Sequence, residues 1–124
     1  MGGRQATARR TRAAVPSGLT GREVVIAPGE CTGWHYHHVP LMAVVKSGTL
    51  TRFLPDGTVE VHPAGATFVE PAGVRNTHAG RNLGSRPVVL QVTCALADDD
   101  PWSVPAPAPP GAAPCLCPAA GAHG

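Results

Sequence analysis

The chain has few aromatic side chains: two Trp, two Phe and one Tyr among 124 residues. An aromatic-rich core is therefore excluded, and the interior must be aliphatic. Charged residues are also sparse, at 15%. No apolar run approaches the ~20 residues that cross a bilayer as a helix. No stretch sustains a 3.6-residue apolar period, which argues against a helical domain. Ser-His-Asp arrangements, phosphate-cradling glycine loops and dinucleotide fingerprints are missing, and with them the usual signatures of serine hydrolases and nucleotide binders. A secretory leader is lacking too. "MGGRQATARRTRAAVPSG" is basic, but the apolar stretch that should follow is short and broken by Pro16. The Arg9-Arg10 pair fails as a twin-arginine signal for the same reason. The chain is read as cytoplasmic, with no membrane partner.

Glycine and proline are plentiful, at 15 and 14 residues, and they mark the boundaries. Residues 1–18 form a basic arm with no acid and are expected to be disordered. Residues 19–98 carry the apolar patterning of one folded unit. Residues 99–124 are Pro/Ala-rich, cannot supply a core, and are expected to be a disordered tail that Trp102 pins at its start. Net charge is +2 and the body is neutral, so the arginine arm is the sole candidate for nucleic-acid contact. It is read as a solvated tail. Of the four cysteines, Cys31 and Cys94 fall in the body and are read as free buried thiols. Cys115 and Cys117 fall in the tail, where with His123 they make only a weak soft-metal pattern.

Within the body, "REVVIAPGE" reads as a strand ending at Pro28-Gly29. "LMAVVKSGTLTRFL" reads as a hairpin split by "KSG". "LPDGTVEVH" gives a turn at Pro55-Asp56-Gly57 and an alternating strand. "PAGATFVEPAG" is a strand between two turns, and "RPVVLQVTCAL" is a β-branched final strand. Short strands with turn signals every eight to twelve residues predict an all-β sandwich or small antiparallel barrel.

"GWHYHHVP", residues 33–40, holds three of the six histidines. Alternation in a strand puts His35 and His37 on one face and Trp34, Tyr36 and His38 on the other. A paired H-x-H offers two imidazoles to a transition metal. Taken alone, the pair is as compatible with a polar surface.

A second segment changes the reading. Gly29, His35, His37 and Gly48 are followed by Gly65, Pro71, Gly73, His78 and Asn82. In order and spacing these positions resemble the two motifs of the cupin superfamily, G-x5-H-x-H-x3,4-E-x6-G and G-x5-P-x-G-x2-H-x3-N. The likeness spans about residues 20–97 and is closest to small single-domain cupins of the conserved-barrel type. It implies a jelly-roll-like double-stranded β-helix with His35, His37 and His78 pointing into its mouth around a divalent metal: iron, zinc, nickel, manganese or copper. There are two departures. The position of the motif glutamate is Leu41 or Met42. Four residues rather than two separate Gly73 from His78, which leaves Asn76 at the strict histidine position.

The resemblance implies a small metal-binding protein. It would be either an enzyme of dioxygenase, isomerase, cyclase or lyase type acting on a small oxygen-rich or anionic substrate, or a noncatalytic module binding a small molecule or metal. Resemblance alone does not choose between these, and no catalytic acid or base is assigned. Arg75, Arg81 and Asn82 are candidate substrate contacts near His78. His38 and His62 are expected to be exposed, and Glu70 is read as a surface residue at a strand end. A homodimer is expected, joined through "REVVI" or the last strand.

Overall fold

The computed structural model describes residues 6–11, 18–95 and 101–112. Strand alternation builds the interior. In β9 (Val88–Cys94) every second residue is buried, and β4 (Leu41–Ser47) begins the same way. β2 (Thr20–Ile26) adds Val24 and Ile26, and Leu50 reaches in from β5 (Thr49–Phe53). Val24, Ile26, Ala43, Val45, Leu50, Val88, Leu90 and Val92 form one aliphatic cluster. Each large member contributes ~1.5–3 kcal/mol by burial.

Two antiparallel sheets enclose this core. The larger has the order β1-β2-β9-β4-β7, with β1 at Thr7–Thr11 and β7 at Thr67–Glu70. The smaller is β6-β5-β8, with β6 at Val59–Pro63 and β8 at Ala79–Arg81. The two-residue β3 (His35–Tyr36) extends it through bridges Cys31–Arg81 and His35–His78, and pairs with β10 (Val104–Pro105). Among the described residues there is no α-helix, only a 3-10 turn at Val74–Asn76. The all-β barrel is thus the fold. No helix among the described residues is long and apolar enough to cross a membrane.

Several expectations need correction. The runs flanking "KSG" do not form a hairpin, because β4 lies in the larger sheet and β5 in the smaller. Gly48 turns that corner with φ 76°, and a Cβ there would lie 2.4 Å from the Pro87 carbonyl oxygen. Glycine alone tolerates both constraints. Pro55-Asp56-Gly57 does close the β5–β6 hairpin, with the Leu54 N–H donating to the Thr58 carbonyl at 2.9 Å.

The termini also differ from expectation. Thr7–Thr11 pairs along β2 as an edge strand, in a region read as disordered. Residues 101–112 were assigned to a disordered tail, yet Val104 and Pro105 pair with β3 and Trp102 packs on the core. Cys115, Cys117 and His123 lie outside the described residues. Cys31 is buried and disulfide-bonded rather than a free thiol. Cys94 is free and buried. Finally, "REVVI" and the last strand are not edges: β2 lies between β1 and β9, and β9 between β2 and β4.

Candidate metal centre

β3 places His35 inside and Tyr36 on the opposite side, and the bend after it keeps His37 inside. His35 is 7% exposed and His37 fully buried. His38 is exposed, its ring edge-on to Tyr36 at 5.7 Å. His78 enters from across the small sheet, where His35 and His78 exchange backbone hydrogen bonds of 2.9 and 2.8 Å. The 3-10 turn takes up the two extra residues after Gly73, so His78 arrives level with His35. The side chain of Asn76 turns away and donates to the Ala72 carbonyl.

The three imidazoles are held in the same way. His35 Nδ1 lies 2.9 Å from the Gly33 carbonyl oxygen, His37 Nδ1 2.7 Å from that of Trp102, and His78 Nδ1 2.8 Å from that of Asn76. A carbonyl oxygen only accepts, so each Nδ1 donates its proton, and Nε2 is the ring atom left to a cation, either a proton shared with Glu70, as at His37, or a metal. This is the anchoring that orients metal-ligating histidines. The three rings offer nitrogens that all lie within 4.8 Å of one another.

Glu70 was misread as a surface residue. It is 8% exposed, with Oε1 3.0 Å from His37 Nε2 and Oε2 3.1 Å from His78 Nε2. The contact to His78 is at ion-pair distance but off-line, and His78 Nε2 has no hydrogen-bond partner. Arg52, also missed, lies behind Glu70. Its Nε is 3.3 Å from Glu70 Oε2, its Nη1 2.7 Å from Glu60 Oε1, and its guanidinium stacks 4.4 Å over the Phe68 ring. Burial opposes ionisation of Glu70, but the hydrogen bond with His37 and the close contact with His78 outweigh it and hold the carboxyl well below the usual range. Burial, reinforced by the neighbouring His78, pushes His35 down to about 4.

A cavity of about 30 Å3 opens beside His35 and His78, room for one or two water-sized groups. Its polar end is His35, His78, Glu70 and Arg52, and Trp102 forms part of its wall. The sequence-nominated contacts lie elsewhere. Asn82 is fully buried and saturated: Nδ2 donates to the Ile26 and Arg86 carbonyls, and Oδ1 accepts from the Gly84 N–H. Arg75 is exposed beside the Pro107–Pro110 segment, and Arg81 does not line the cavity. His62, expected in solvent, is half-buried and held by Glu60 at 2.9 Å.

The geometry has relatives. The model of a family described as "Cupin domain" matches residues 22–94. Among curated proteins, none matches. A Cupin 2 conserved barrel domain protein from Salinispora arenicola CNS-205 superposes with a TM-score of 0.62 at 22% identity, over 74% of this chain and 76% of that one. A DMSP lyase from Ruegeria pomeroyi DSS-3 gives 0.65 at 16% identity, over 82% of this chain and 51% of the lyase. A recombinant oxalate oxidase in complex with glycolate gives 0.64 at 22% identity, over 81% and 54%. The chain spans about half the length of these two enzymes.

Proposed function

This chain belongs to the cupin family, and on that premise we propose that His35, His37 and His78 bind a divalent transition metal that serves a small oxygen-rich or anionic ligand. One observation carries the reading: three buried imidazoles have their Nδ1 protons given to backbone carbonyls and offer nitrogens within 4.8 Å of one another. His78 Nε2 is a buried atom without a hydrogen-bond partner, which a bound cation would satisfy. The donor set suits iron, zinc, nickel, copper or manganese.

When bound, such an ion supplies Lewis acidity toward water, a carbonyl or an enediolate, or a site for dioxygen if it is iron. The rest falls to the chain. Aliphatic walls and Trp102 exclude bulk water. The Arg52 guanidinium, held between Glu60 and Glu70, orients the Glu70 carboxylate at the polar end. Glu70, its carboxyl held well below the usual range, stands as an anion between Arg52 and His78. The small cavity supports a ligand of few heavy atoms. An oxalate oxidase in complex with glycolate and a DMSP lyase share this fold, and the reaction is proposed as dioxygenase-, isomerase-, cyclase- or lyase-type.

A second reading rests on the same cavity. With about 30 Å3 beside Trp102, the barrel also suits a noncatalytic module that holds a metal or small molecule. A loaded protein that is stabilised by small carboxylates but consumes none would favour it.

The test is elemental analysis of protein purified without a polyhistidine tag, beside an H35A/H37A variant. About one equivalent of transition metal, lost in the variant, supports the centre. Wild-type protein that carries none and takes up none overturns it.

A further inference from the structure

We propose that Glu70 supplies the fourth, anionic donor of the centre, entering from β7 instead of from the motif position at Leu41. This inference rests on the metal reading of the three histidines.

Register carries the first step. β4 and β7 pair antiparallel with Leu41 directly opposite Glu70. Directly opposed residues project from the same face of the sheet, with Cβ atoms ~4.5–5.5 Å apart. A carboxylate moved from position 41 to position 70 therefore stays on the same face and at the same level, and its chain can reach the same rings. Leu41 is 1% exposed, so the vacated position is filled with apolar packing.

Contact chemistry carries the second step. The Nδ1 bonds to Gly33, Trp102 and Asn76 leave Nε2 as the atom each ring offers to a cation. Two of these atoms face the Glu70 carboxylate at 3.0 and 3.1 Å. Lone pairs on nitrogen and on a carboxylate repel at that distance unless a cation stands between them. In stripped protein a proton meets the need at His37, whose Nε2 lies at hydrogen-bond distance from Glu70 Oε1. In loaded protein a single divalent ion held by both nitrogens and the carboxylate would take its place.

Arg52 and Glu60 complete the arrangement. Arg52 Nε lies against the oxygen that faces His78, and its far side is neutralised by Glu60 at 2.7 Å. Glu70 is thereby fixed without a net cation being added. With neutral rings, a divalent ion and one carboxylate, the centre carries a single positive charge rather than two. A monoanionic ligand then makes it neutral.

The experiment titrates Co2+ into metal-stripped full-length protein, reading affinity by competition and the visible absorption of the complex. Wild type, E70Q and H35A/H37A are compared. E70Q keeps the size of the side chain and removes the charge. The expected result is affinity weakened at least tenfold in E70Q with an altered visible spectrum, and no binding in H35A/H37A. E70Q that binds with wild-type affinity and an unchanged spectrum overturns the assignment of Glu70 while leaving the three-histidine centre standing. Wild type that binds no Co2+ overturns both. A second readout needs no variant: the infrared difference spectrum of loaded minus stripped wild type shows a shifted carboxylate stretch if Glu70 binds the ion, and its absence overturns the proposal even if E70Q fails to fold.

Discussion

Leu41 and Glu70 sit opposite each other across β4 and β7. One is the aliphatic residue found where the family motif has glutamate. The other is a buried carboxylate touching two of the three clustered histidines. The site thus has an acid that a linear reading of the motif declares absent.

Arg52 should be structural as well as electrostatic. It is buried between Glu60 and Glu70. R52M leaves Glu70 without its guanidinium and should destabilise the fold by ~3 kcal/mol, measured by urea denaturation of metal-stripped protein. R52K restores the charge but not the two-sided contact and should recover only part. An R52M midpoint equal to wild type contradicts this role.

The metal-free protein should weaken in acid through His35. Burial holds this imidazole at about 4, against 6.5 for the free side chain. Between those values the unfolded chain binds a proton that the folded chain refuses. The stability contributed by neutral His35 is therefore complete above pH 6.5 and is lost as pH falls toward 4. Linkage at ~1.4 kcal/mol per pH unit makes this on the order of 3 kcal/mol. Denaturation at pH 7.5 and 4.5 should show a smaller pH dependence in H35Q than in wild type. Equal dependence contradicts the assignment.

Sequence and structure agree where local rules suffice. The β-branched run 88–94 and the Pro55-Asp56-Gly57 turn read correctly because alternation and turn chemistry are local. His35 and His37 both face inward, and a shared face needs only two positions to be legible. Glu70 escapes a linear reading because Pro71 marks a strand end, where side chains are usually exposed. Its parity with Phe68, which packs on the core, was the available signal for an inward side chain. Arg52 could not be found this way, because its partners Glu60 and Glu70 lie in different sheets. The sheet change at Gly48 was hidden for the same reason: a hairpin and a corner present the same dipeptide signal, and only the Pro87 carbonyl across the barrel separates them.

Asn82 should be a fold residue. It uses both amide hydrogens and its oxygen on backbone partners while fully buried. N82L leaves those groups unpaired and should cost ~2–4 kcal/mol by thermal or urea melts. Surviving folded protein should still bind one equivalent of metal. Loss of metal without loss of stability contradicts this placement.

The segment after residue 100 should tune the centre through its backbone. The Trp102 carbonyl accepts from His37 Nδ1, and the Trp102 ring lies 5.6 Å from the His37 ring. Ending the chain at residue 100 removes both and should weaken metal binding ~10–100-fold. W102A keeps the carbonyl, so affinity should stay within a few-fold while ligands enter faster. Equal losses in the two variants would show that the ring, and not the carbonyl, matters.

His35, His37 and His78 should converge on one divalent ion. Anomalous diffraction at the absorption edge of the bound metal, from crystals of untagged protein, tests this directly. The expected result is a single strong peak in bonding contact with an Nε2 of all three rings, with Glu70 as a further donor. A peak at His38 or His62 instead, or no peak in protein loaded with metal, would contradict it.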